Sequence, residues 1–195
     1  MGGFMNFLED KLVPVASKLG SNKYLKAISG GFVAILSATI VGSMFILLGN
    51  LPIKAYTEWL ASSGLGSILA LPGQVTTDLI ALYASFFIAY SLAREFQTDG
   101  AGAGLASLVS FMLVTGRVEG SISTAYLGAK GLFTAMIVAL IAARIYVYVV
   151  KHGWVIKLPE SVPPNVSNSF SALIPSFIVI AIFLAVAGAM TYTSY

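Results

Sequence analysis

Cysteine is absent from this 195-residue sequence, which excludes disulfides and thiolate metal sites and leaves the redox compartment open. Charge is scarce too: Asp, Glu, Lys and Arg make up 10% of the chain, against the roughly 25% of a soluble domain. The few charges are bunched between long uncharged runs, whereas a soluble core would need polar surface spread at helical period. Histidine occurs once, as His152 in "VVKHGW", where an imidazole beside Lys151 reads as a solvated or headgroup-level residue and not as a proton relay. No Walker loop and no HExxH pattern is present, and "GAGAG" at Gly100–Gly104 precedes an apolar span with no strand before it, unlike a nucleotide fingerprint. The sequence therefore offers no catalytic residue, no metal site and no cofactor motif of its own.

What the chain has in abundance is apolar sequence. Hydrophobic residues make up 57% of it and the mean hydropathy is +0.89, so it reads as an all-α integral membrane protein. The pI of 9.1 does not signal nucleic acid, because the eleven Lys and Arg residues are scattered in ones and twos at segment ends. A helix crossing about 30 Å of hydrocarbon needs roughly 20 residues. Five stretches come near that: Ala27 to Leu51, about Gln74 to Ala93, the short Gly100 to Thr115, Gly131 to Val150, and about Pro175 to Thr193.

Residues 1–26 hold Glu9, Asp10 and four lysines, which is not a cleavable signal peptide. Phe4, Leu8, Leu12, Val15 and Leu19 instead predict an amphipathic surface helix, bent or split at Pro14. Counting Lys and Arg places the N-terminus inside. Eight of them (Lys11, Lys18, Lys23, Lys26, Arg94, Arg144, Lys151, Lys157) then face the cytoplasm, against Lys54, Arg117 and Lys130 outside. The domains follow as an interfacial segment at 1–26, four spans within 27–156, a Pro-rich cytoplasmic connector at 157–174 and a fifth span at 175–195.

Within the third span, Gly100 with Gly104, Gly102 with Ala106, and Ala103 with Ser107 stand four residues apart, a spacing of small residues that lets membrane helices approach closely. Gly100 serves equally well as a tight turn after Asp99. Asp78 reads as a capping carboxylate at the outer end of the second span. Arg144 either snorkels to lipid phosphates or pairs with Glu95 or Asp99. Arg94, Glu95 and Asp99 form a solvated inner turn, with a lining role for Arg94 the alternative. Tyr83, Phe86, Phe87 and Tyr90 read as helix or lipid packing, with stacking on a sugar the alternative.

The stretch "KLPESVPPNVSNSFSALIP", Lys157 to Pro175, is the least membrane-like of the apolar chain. Pro159, Pro163 and Pro164 remove backbone donors and forbid helix, so the chain must run there in water or among headgroups. Asn165 or Ser167 is then expected to cap a short helix with Phe170, Leu173, Ile174 and Phe177 on its apolar face, before Pro175 opens the last span. Together with "TAYLGAKGLFTAMIVAL" (Thr124 to Leu140) and "MNFLEDKLVPVASKLGSNKYLKAI", this stretch resembles the membrane permease, enzyme IIC, of the phosphoenolpyruvate-dependent sugar phosphotransferase system, in its lactose/cellobiose (chitobiose) family.

The resemblance implies that the five spans are the dimerisation half of a permease for a beta-linked disaccharide, with the sugar-contacting histidine and glutamate lying in a second half not matched here. It implies a homodimer, a soluble IIB subunit that donates phosphate from a phosphocysteine, and a bacterial cytoplasmic membrane. Arg94, Glu160 and Asn165 become candidates to line the substrate route, and the motif Pro159, Glu160, Pro163 and Pro164 to hold the transport half or meet the partner; a linker without a ligand is the plainer reading. On its own such a half is expected not to transport. The competing expectation is a transport-dead dimerisation or docking module, and a small pore is disfavoured because no span carries a repeated polar stripe.

Overall fold

The computed structural model describes residues 20–115, 117–118, 121–122, 124–159 and 161–193, with only the backbone of Asn165, Thr193 and the 117–122 pairs. The predicted surface helix, with Phe4 to Leu19 and Pro14, lies outside the described residues, as does Glu160. Among the described residues, the elements are helices apart from one antiparallel pair of two-residue strands, Arg117–Val118 with Ser121–Ile122.

Helix α1 (Lys23–Gly49) starts where Asn22 accepts hydrogen bonds from the Tyr24 and Leu25 amides at 2.9 and 3.4 Å, a side-chain N-cap. Two helices follow that the span assignment leaves unassigned, α2 (Lys54–Ser63) and α3 (Leu65–Thr76), hinged at Gly64. With φ of 71°, Gly64 occupies the left-handed region that side-chain-bearing residues avoid. A 3₁₀ turn at Thr77–Leu79 joins α3 to α4 (Ile80–Glu95), so the second apolar rod begins at Leu65, nine residues before the expected Gln74. Pro72 hid this. It sits inside α3, where a proline normally breaks a helix because its missing amide leaves the carbonyl one turn earlier without its donor; the helix nevertheless runs on, and Thr76 Oγ1 donates to the Pro72 carbonyl at 2.6 Å in the next turn.

Helix α5 (Gly100–Val114) is 15 residues long, fewer than the roughly 20 of a typical span, and α6 (Leu132–Lys151) nearly coincides with the expected fourth span. Helix α7 (Pro164–Ser171) carries Pro164 at its first position and is capped by Pro163 with no side-chain bond, so neither Asn165 nor Ser167 is its cap. Proline at the first position lacks one of the amides that a helix start leaves unpaired, and its fixed φ suits the first turn. Helix α8 (Leu173–Thr193) begins two residues before Pro175, which its first turn accommodates for the same reason. Among the described residues, four rods are long and apolar enough to cross a membrane: Lys23–Gly49, Leu65–Glu95, Ala129–Lys151 and Val166–Tyr192. The shorter α5 is held among them.

Helix α4 is the hub, packed against α1, α5 and α6, while α8 covers α5 and α6 and α3 lies on α1. Close approach is set by small residues. A Cβ on Gly31 of α1 would stand 2.8 Å from the Ile88 backbone N and Cα, so α1 reaches α4 only because that position is bare. Ala81, Ala84, Ile88 and Leu92 of α4 and Ala135, Ala139 and Ala142 of α6 are fully buried. Ser107 Oγ donates to the Ser85 carbonyl at 2.8 Å, a polar tie between α5 and α4 inside a mostly apolar core.

Candidate functional site

The start of α1, the end of α4, the start of α5, the end of α6 and the α7–α8 junction gather at one end of the bundle. There α4 closes in a Schellman turn. The Gln97 amide donates to the Arg94 carbonyl at 2.9 Å and the Thr98 amide to the Ala93 carbonyl at 3.0 Å. The position that usually holds glycine in such a turn holds Gln97, with φ of 59°. Left-handed backbone costs a side-chain-bearing residue about 1–2 kcal/mol, and here it turns the chain straight into the cap of α5. Thr98 Oγ1 also donates to Ala93 O at 2.9 Å.

Asp99 is that cap. Its carboxylate accepts from the Ala101 amide at 3.1 Å and the Gly102 amide at 2.8 Å, and the Tyr146 hydroxyl of α6 donates to it as well. Three helices meet at this carboxylate because Gly102 has no side chain: a Cβ there would lie 2.7 Å from Asp99 Oδ2 and 2.9 Å from Ala172 Cβ, and would strike the Tyr146 hydroxyl. Arg94, Gln97, Thr98, Asp99 and Asn168 line a polar cleft of about 480 Å³. A second cleft of about 450 Å³ shares Asp99 and Asn168 and continues past Gly102, Ser169, Ala172 and Ser176. One cation, one carboxylate and several amide and hydroxyl groups suit the recognition of polyhydroxylated or charged surface; no group of three metal-ligating side chains occurs among the described residues.

Of the residues that sequence singled out, Arg94 is exposed on this cleft. Pro159, Pro163 and Pro164 are exposed in the connector, which Ser171 Oγ ties back by donating to Ile156 O at 2.9 Å. The backbone of Asn165 lies in the first turn of α7, one residue after Pro164. The small residues of α5 point into the chain itself: Cβ atoms on Gly100 and Gly104 would lie 2.7 Å from the Tyr90 ring and 2.8 Å from the Phe86 ring. Ala103 and Ser107 are fully buried. This stripe is occupied by α4 and is not free for a second molecule.

Of the other residues singled out, Asp78 departs from its expected capping role, Arg144 takes neither acidic partner, and Phe86 and Tyr90 keep to helix packing. Asp78 makes no capping bond, since α4 takes Leu79 as its N-cap; its own side chain is exposed on a 300 Å³ pocket at the opposite end, shared with Phe45, Asn50 and Gln74. Arg144 pairs with neither Glu95 nor Asp99 but lies 5.1 Å from the centre of the Phe96 ring. Tyr90 and Phe86 stack at 6.2 Å along α4, against the glycines of α5. Sequence reasoning missed Tyr146, Gln97, Thr98 and Asn168. The one signal that pointed there was Asp99 immediately before a glycine-rich helix start; Tyr146 lies 47 positions away inside an apolar run, where periodicity says nothing of a carboxylate partner.

A family model described as "Phosphotransferase system, EIIC" matches residues 29–195. The cellobiose-specific EIIC component of the phosphotransferase system from Geobacillus stearothermophilus is 38% identical over 200 residues, an alignment covering 93% of this chain and 44% of that protein. The lichenan permease IIC component of Bacillus subtilis (strain 168) is 37% identical over 91% of this chain and 43% of its own. The crystal structure of the transporter ChbC, the IIC component from the N,N'-diacetylchitobiose-specific phosphotransferase system, matches with a TM-score of 0.84 and 38% identity, over 92% of this chain and 46% of that one. The chain spans less than half the length of these relatives.

Proposed function

The chain belongs to the EIIC family of the phosphotransferase system, the membrane component of sugar-transporting permeases, and from that premise we propose that it is the N-terminal, dimer-forming half of a permease for a beta-linked disaccharide of the cellobiose, chitobiose or lactose class. The observation that carries this reading is the shared helix arrangement with a chitobiose transporter over nearly all of the chain. Five crossings, with the short α5 as the third, put the N-terminus in the cytoplasm. In support, Lys23, Lys26, Arg94, Arg144, Lys151 and Lys157 collect at one end of the bundle and Lys54 and Lys130 at the other, the asymmetry that orients membrane proteins.

On this reading the sugar leaves phosphorylated at the end that carries the polar cleft. Arg94, with Glu160 and Asn165 of the connector, lines that exit or holds the transport half, while a soluble IIB subunit brings the phosphate. By family analogy the phosphate is carried on a phosphocysteine of that partner. In-line phosphoryl transfer depends on positioning and charge stabilisation, which a rigid cleft with one guanidinium can assist. The half alone does not transport, and it dimerises through faces other than the α5 stripe, which is already occupied.

Joining the chain to the C-terminal half of a cellobiose-specific relative, in cells lacking their own permease, tests the proposal. IIB-dependent uptake of labelled cellobiose is expected. Absence of uptake with the joined protein inserted in the membrane would overturn it. A reporter fused after Pro164 is expected to be active only in the cytoplasm, and activity outside the cell would reverse the orientation.

A further inference from the structure

Lys23 of α1 and Arg144 and Lys151 of α6 converge on a single ring. Their charged groups lie 4.5, 5.1 and 5.3 Å from the centre of Phe96. Those radii hold any two of the charges within about 10 Å, comparable to the screening length of physiological salt. All three side chains are exposed at the same end of the bundle. Lys23 gives a hydrogen bond of 2.9 Å to Glu95, but to its backbone carbonyl and not to its carboxylate. Among the described residues none of the three is in an ion pair. A ring has two faces and a weak field, so Phe96 cannot neutralise three cations. The arrangement is repulsive until an anion joins it.

The surroundings identify the depth. Tyr24 packs edge-on against Phe96 at 6.4 Å, and Tyr148, His152 and Trp154 follow one another in tilted contact with centroids 4.0 and 6.3 Å apart. Tyr24, Tyr148 and Trp154 are exposed where spanning rods end, the position of an interfacial aromatic belt. A phosphate at that depth belongs to a lipid. We propose that Lys23, Arg144 and Lys151 form a site for the phosphate of an anionic phospholipid in the leaflet at this end, with Phe96 as its floor. The chemistry fits: Arg144 offers a forked donor pair to a phosphate diester, and the two ammonium groups add charge without fixed geometry. Such a lipid would join α1 to α6, two helices that otherwise meet mainly through α4.

The test uses the full chain purified in a non-ionic detergent and titrated with phosphatidylglycerol or phosphatidylcholine, with retained lipid read by native mass spectrometry. Phosphatidylglycerol is expected to be retained in preference to phosphatidylcholine. Each substitution Lys23→Gln, Arg144→Gln and Lys151→Gln is expected to weaken retention about fivefold, the effect of one interfacial cation. The pair Lys54→Gln and Lys130→Gln, at the opposite end, is expected to leave it unchanged. Millimolar inorganic phosphate is expected not to displace the lipid; displacement would reassign the site to free phosphate and overturn the lipid reading. Equal retention by the triple variant, or equal binding of phosphatidylcholine, would also overturn it. If the triple variant is not recovered folded, the exposed single variants Lys23→Gln and Lys151→Gln decide the matter, and unchanged retention in both rejects the site.

Discussion

Helices α6 and α8 look alike as strings and behave differently in the bundle. The rod containing α8 is the more hydropathic, 2.6 against 2.1, yet 17% of its apolar window is buried within the chain compared with 44% for the rod containing α6. The rod of α1 pairs a hydropathy of 2.3 with 17% burial. Hydropathy therefore separates rods from loops but not core from periphery, because lipid is as apolar as the interior and does not drive one apolar face inward. The buried faces are marked by size instead. Helices α4, α5 and α6 contribute Ala84, Ala89, Ala103, Ala106, Ala139 and Ala143 to the centre, while α1 and α8 turn Val33, Leu47, Phe177 and Leu184 outward.

The contrast can be broken most severely at its closest approach. Gly31→Val puts a side chain against the Ile88 backbone, which cannot yield as a flexible side chain can, and is expected to destabilise the packing of α1 on α4 by about 3 kcal/mol. Denaturation in detergent, followed by circular dichroism and tryptophan fluorescence, should show a lower midpoint; an unchanged midpoint would mean that α1 does not pack there. The next effect belongs to Asp99→Ala, which removes the cap of α5 and the acceptor of Tyr146 together. Loss of the cap alone is expected to cost about 1–2 kcal/mol. Combining it with Tyr146→Phe in a double-mutant cycle should give a coupling of about 1 kcal/mol, and strict additivity would deny the contact.

Smaller and opposite in sign, Gln97→Gly is expected to stabilise by about 0.5–1 kcal/mol, because relief of the left-handed strain exceeds the entropy that glycine adds to the unfolded chain. If uptake by the joined permease falls in the same variant, the strain serves the cleft. Smallest of all, Val33→Ala, at 63% exposure on the outer face of α1, should move stability by no more than about 0.5 kcal/mol. A larger loss would place a second copy or the transport half against that face.

Much of the fold is legible in the sequence. The limits of α1 and α6 follow from long apolar runs, that of α6 interrupted only by Arg144, and the break between α6 and α8 from Pro159, Pro163 and Pro164, since missing amides cannot be supplied in lipid. Helices α2 and α3 escape notice for local reasons. Lys54 and Glu58 dilute the apolar signal of α2, and Pro72 with two glycines argues against α3, which in the folded chain tolerates the missing Pro72 amide. The end of α4 is harder still, for Gln97 gives no hint that it stands where glycine normally would.

The candidate site is legible by halves. Arg94 and Asp99 stand out as charges beside a span end, but Asn168 and Tyr146 acquire meaning only from the meeting of α5, α6 and α7. By itself the sequence determined that the chain is made of membrane rods, roughly where most of them lie and which ends carry positive charge, because those properties depend on each segment's own exchange with water and lipid. Tertiary structure alone decided that Gly102 admits Tyr146 to the Asp99 carboxylate and that three cations from two helices share Phe96. Those contacts depend on the rotation and register of one rod against another, which packing of small residues sets and no single segment encodes.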